Sequence, residues 1–147
     1  MSYNNIFNII VDMAPYGFWL ITILSLLRNY QLIIVFIIGV LLNSILHSIL
    51  KYIFKKYLGQ FGIPSLSGHF QALAFCFTFY ILSHKTINPY ILFLFLFLVL
   101  CCLMNCIEFN YHTTAEIILG IIFGTLFSYF YFINIKPFVL LFVQNLI

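Results

Sequence analysis

The chain has 147 residues, 65% hydrophobic, 20% aromatic and only 6% charged, with a formal net charge of +3. A soluble domain is roughly 45–50% apolar and about 25% charged, so this few charged side chains cannot cover a water-facing globule of that length. The six basic residues are too dispersed for a nucleic-acid footprint, which leaves one all-α integral membrane domain over residues 1–147.

Hydropathy and the few polar clusters divide the chain into about five spans. The first is strongly apolar from Phe18 to Leu27, extends back past Pro15 towards Asp12, and is closed by Arg28. Met1 to Asn8 is polar and uncharged, unlike the basic start of a signal peptide, so the first span is expected to be retained. The second runs from about Gln31 to Leu50 and ends in Lys51, Lys55 and Lys56. A polar, glycine-bearing stretch from Gly59 to Gly68 precedes a third span from about His69 to Leu82, and Ser83 to Asn88 forms a short loop before a fourth from about Tyr90 to Met104. The fifth starts near His112 and ends near Ile133. The residues after Lys136 and Pro137 are too few to cross and are expected along the interface. Basic residues are divided evenly between the two faces, so charge bias does not orient the bundle.

Cys76, Cys101, Cys102 and Cys106 lie inside apolar runs, and no Cys/His set has zinc-site spacing, so they read as small apolar residues. Ionisable groups inside membrane segments are costly, and two clusters of them need an account. Ile63-Pro64-Ser65-Leu66-Ser67-Gly68-His69-Phe70-Gln71 is a turn running into an apolar helix, where unpaired backbone N–H groups suit an anion. The plainer reading is that Ser65 or Ser67 caps the helix and His69 is interfacial. In the second cluster, His112, Glu116, Gly120 and Gly124 recur every four residues and form one helical stripe. A carboxylate one turn from an imidazole fixes its tautomer and leaves the other nitrogen as base or nucleophile, while the glycines admit a neighbouring helix; a purely structural pair over a packing seam is the alternative. With five spans, His69, His112 and the lysines that end the second span share one membrane face, which makes a phosphate site with a nucleophile and an acid. Asn43 and His47 read as interhelical hydrogen-bonding groups, His84 and Lys85 as a solvated turn, and Glu108 as loop or a second carboxylate.

These residues resemble the type 2 phosphatidic acid phosphatase superfamily, closest to the polyprenyl (dolichyl) diphosphate phosphatases. The family carries a lysine separated by six residues from Arg-Pro, a Pro-Ser-Gly-His type turn, and Ser-Arg, five residues, His, three residues, Asp. Ser67-Gly68-His69 matches the second motif, with Pro64-Ser65 displaced by a two-residue insertion, and His112 and Glu116 match the end of the third, preceded by Tyr111 and followed by Gly120 and Gly124. The resemblance covers about residues 43–128. Both family arginines are missing: Leu58-Gly59 stands where Lys51 would need Arg-Pro, and Asn105-Cys106 stands for Ser-Arg. The resemblance implies a membrane-embedded lipid phosphatase, a hydrolase of lipid phosphates or polyprenyl diphosphates that needs no metal or other cofactor. His112 would form a phosphohistidine, Glu116 would orient it, and His69 would protonate the leaving oxygen and then activate water. Lys51, Lys55, Ser67 and Gly68 would hold the phosphoryl oxygens. With the arginines gone, the alternative is a catalytically inactive relative with a structural or lipid-binding role in an organelle or viral membrane.

Overall fold

The structure is a computed structural model and describes residues 3–109 and 112–146, with side chains described outside 3–12, 105, 107–109 and 146. Tyr111 and the side chains of Asp12, Asn105 and Glu108 therefore lie outside the described residues. All regular structure described is helical: α1 (Tyr3–Ser25), α2 (Tyr30–Ile53), α3 (Gly68–Ser83), α4 (Pro89–Phe109), α5 (Thr114–Phe130) and α6 (Lys136–Leu146). Two continuous helices, Tyr30–Phe61 and Thr114–Asn145, are long and apolar enough to cross a membrane; Met13–Ser25, Gly68–Ser83 and Pro89–Met104 are shorter apolar helices.

The helices start and stop where the sequence offers the chemistry for it. Asn29 caps α2, its Oδ1 accepting the Leu32 N–H at 3.1 Å. At the far end α2 does not break but loosens through a π turn over Phe54–Leu58 and a 3₁₀ turn over Gly59–Phe61, ended by Gly62 at φ 71°, where the left-handed backbone favours glycine. Thr113 caps α5 with a reciprocal box to Glu116.

The helix does not stop near Ile133, where the fifth span is expected to end. A π turn over Tyr131–Ile135 joins α5 to α6, and the Lys136 N–H bonds the Tyr131 carbonyl five residues back. A proline ring inside an α-helix strikes the carbonyl four residues before it; the wider turn relieves that clash, so the chain continues as helix to Leu146.

Helix α3 is the centre of the packing. Phe70, Leu73, Ala74, Phe75, Cys76, Phe79 and Tyr80 are all buried, and its most extensive neighbour is α5, with α1 and α2 on its other flanks. Phe36, Phe75, Phe79 and Tyr131 form the aromatic heart of the core. The Tyr131 hydroxyl donates to the Val35 carbonyl at 2.6 Å. Gly39 makes room for this cluster: a Cβ there would sit 2.8 Å from both Phe75 and Tyr131 ring atoms. The outer faces are apolar as well, with Leu41, Ile45, Leu126 and Phe130 among many large side chains left uncovered.

Candidate functional site

Three elements meet at the end of the bundle where α3 and α5 begin. The Ser67 N–H donates to the Glu116 carbonyl at 3.1 Å, tying the turn before α3 to the first turn of α5. Two glycines let the helices come that close. A Cβ on Gly120 would lie 2.6 Å from the Ser67 carbonyl oxygen, and one on Gly124 would collide with the Gln71 carbonyl. Small residues at four-residue spacing thus bring backbone against backbone and fix the register between α3 and α5.

That register sets the two imidazoles side by side, the His69 and His112 ring centroids 6.5 Å apart. His112 lies two residues ahead of α5, so it does not sit on the helical stripe that the four-residue spacing predicts; that stripe begins at Glu116. The capping turn itself brings the ring to the carboxylate. Glu116 Oε2 accepts the Thr113 N–H at 2.9 Å and lies 3.4 Å from His112 Nδ1. That separation is long for a hydrogen bond, and the two groups form an ion pair only once the ring gains a proton. The arrangement presents Nδ1 to the acid and leaves Nε2 on the opposite side of the ring. Thr113 was not picked out from sequence, although Thr-x-x-Glu at the head of an apolar run is a capping-box signature.

Ser67 holds the cap position of α3, yet its hydroxyl makes no capping bond. Its Oγ is fully buried without a hydrogen-bond partner. Gly68 follows at the helix start and is crowded from α2, where a Cβ would lie 3.0 Å from His47 Nε2. His47 belongs to a buried polar relay of three side chains. Gln71 Nε2 donates to Asn43 Oδ1 at 3.1 Å, which turns the Gln71 Oε1 towards His47 Nδ1 at 2.9 Å. With Oε1 as acceptor, Nδ1 carries the proton. Asn43 and His47 are thus the interhelical groups that the sequence suggests, and the relay orients the turn that carries Ser67 and His69.

Lys51 follows His47 by one helical turn on α2 and is exposed, as are Lys55 and Lys56 in the π turn beyond. The Phe54 ring packs edge-on against Phe123 of α5 at 5.9 Å, which anchors this lysine-bearing segment beside the site. Lys56 is engaged locally, its Nζ donating to the Tyr52 hydroxyl at 2.9 Å. Among the described residues no three His, Cys, Asp or Glu side chains are grouped as a metal ion requires. Chemically, the cluster offers an imidazole facing a carboxylate, a second imidazole within one small group's width and a helix N-terminus, with Lys51 one helical turn beyond His47. Comparison with protein-family models, with curated proteins and with solved structures returned no match.

Proposed function

We propose that the chain is a five-span membrane protein that hydrolyses a lipid phosphate or polyprenyl diphosphate through a phosphohistidine, without metal. The observation that carries this reading is the 6.5 Å approach of His69 and His112 with Glu116 3.4 Å from His112 Nδ1. His112 Nε2 attacks phosphorus; an N–P bond forms as the P–O bond to the lipid or diphosphate leaving group breaks, and His69 gives its proton to the departing oxygen. His69 then takes a proton from water, whose oxygen attacks phosphorus, releasing inorganic phosphate and freeing His112. Glu116 stabilises the imidazolium that develops. The start of α3, with Ser67 and Gly68, receives the phosphoryl oxygens, and Lys51 and Lys55 supply the positive charge that arginines give in the phosphatases this sequence resembles. An apolar exterior suits a substrate whose tail already resides in the bilayer.

A second reading, an inactive relative retained for a structural or lipid-binding role, is favoured by one observation. The positions that would carry the two arginines hold Leu58-Gly59 and Asn105-Cys106. One assay separates the readings: phosphate release from polyprenyl diphosphate and from phosphatidate by the detergent-purified protein in EDTA. Activity that is lost in both His112→Ala and His69→Ala supports the hydrolase. Equal background in all three proteins supports the inactive relative.

A further inference from the structure

The opposite end of the bundle holds a second polar cleft. The turns after α1 and α3 enclose a cavity of about 680 Å³, walled by Leu27, Leu32 and Ile91 and bearing Arg28, Ser83 and His84. Expected to be solvated, His84 is instead clamped between two helices. Its Nδ1 lies 2.9 Å from the Tyr80 carbonyl and its Nε2 3.0 Å from the Ser25 carbonyl. Carbonyls only accept, and a neutral imidazole has a single N–H, so both contacts are satisfied together only by the doubly protonated, cationic ring. That ring lies against Tyr80 with centroids 4.6 Å apart, a placement that favours a cation. The Tyr80 hydroxyl accepts the Asn88 N–H at 2.8 Å and so pins the other side of the turn.

The charged and titratable groups that line the cleft with His84 are Arg28 from the α1–α2 turn and Tyr80 from α3, Lys85 being the next residue in sequence; no acid is among the described residues of the cleft wall. Positive charge gathers there without a counter-ion. An independent observation points the same way. Thr22, Ser25, Ser44 and Ser48 each return their hydroxyl to a carbonyl three or four residues back, as helix hydroxyls do, but Ser83 Oγ is buried with no partner.

We propose that this cleft is a second binding site, separate from the paired histidines, for a phosphate-bearing anion, and that its occupant is the headgroup of an anionic phospholipid. The Arg28 fork donates to the phosphate oxygens, the Ser83 hydroxyl supplies a further donor, and His84 contributes charge while its own N–H groups stay on the backbone. The leucine and isoleucine wall continues onto the exposed flank at Leu24 and Leu27, which gives acyl chains a path and favours a lipid over a free ion.

The test uses the full chain in nanodiscs of phosphatidylcholine, alone or with about a fifth phosphatidylglycerol, a phosphodiester that a phosphomonoesterase does not consume. Thermal unfolding is read for the parent, Arg28→Gln and Ser83→Ala, with ¹⁵N-histidine spectra of the parent. The anionic lipid is expected to raise the parent's midpoint by a few degrees and to leave His84 with both ring nitrogens protonated. Arg28→Gln is expected to abolish the rise and Ser83→Ala to reduce it. No rise in the parent, an equal rise in Arg28→Gln, or a singly protonated His84 in the lipid-bound state would overturn the proposal. A matching rise from inorganic phosphate in pure phosphatidylcholine would overturn the lipid as occupant and assign the site to the free anion.

Discussion

Helix α3 ends in a polar group of residues on both sides, and the two ends are built on opposite plans. At its start, backbone is pressed against backbone by Gly120 and Gly124, and side chains from three helices are aimed at one another. At its finish the turns stand apart, leaving a cleft that bears Arg28 and His84 and has no acid among the described residues of its wall. Each end also has a serine, Ser67 and Ser83, whose buried hydroxyl finds no protein partner. Close backbone packing fixes the geometry that bond-making would need, whereas a gap admits a bulky group, and the two proposals made for these ends rest on that difference.

The largest expected effect tests the chemistry at the glycine-pressed end. On the proposed mechanism His112→Ala lowers phosphate release by about a thousandfold or more, measured in single-turnover hydrolysis of polyprenyl diphosphate, because no other group would replace the lost nucleophile. The next tests the packing that places it. Gly124→Ala must displace the Gln71 carbonyl and should destabilise by about 2–3 kcal/mol, read as a lowered unfolding midpoint in detergent. Gly17→Ala meets only the Leu98 side-chain tip, at 3.2 Å, which can turn aside, and should cost under about 1 kcal/mol. Gln71→Leu strands both Asn43 and His47 and should cost about 2 kcal/mol by the same measurement. Removing the cap with Thr113→Ala leaves the Glu116 N–H without its side-chain acceptor and should cost about 1 kcal/mol by the same measurement, while the Thr113 N–H still holds the Glu116 carboxylate. The smallest effect lies at the open end. Ser83→Ala in plain detergent should change stability by less than about 0.5 kcal/mol, whereas Ser128→Ala, which removes a bond to the Phe75 carbonyl, should cost about 1 kcal/mol.

What could be read from residues alone follows the range of the interactions. Helical class and the boundaries of α2 and α3 are local properties of apolar runs flanked by Asn29, Gly68 and Ser83, and hydropathy displays them directly. His69 and His112 were legible as a pair because helices that alternate in direction put every second connection on one face. The Ser67 hydroxyl misled, since a serine at a helix start reads as a cap and only the packed structure reveals that it makes no such bond. His84 was opaque for a related reason: one of its two acceptors is the Ser25 carbonyl, 59 residues away, and no local pattern announces a backbone group. The helix beyond Ile133 was not legible because polar Asn134 and Lys136 end the apolar run, whereas the π turn carries the backbone on through Pro137.

That π turn also acts as a phase shifter. Upstream, the residues turned inward are Gly120, Gly124 and Ser128, each four apart; the next is Tyr131, only three on, after which Ile135, Val139 and Val143 resume the interval of four. One extra residue in a single turn rotates everything beyond it by about 100°, so the same rod can address α3 along its first half and α2 along its second. A deletion within Tyr131–Ile135 would swing Val139 and Val143 outward while leaving the paired imidazoles at the other extremity untouched, which makes this segment a dial for helix azimuth that is mechanically insulated from the candidate site.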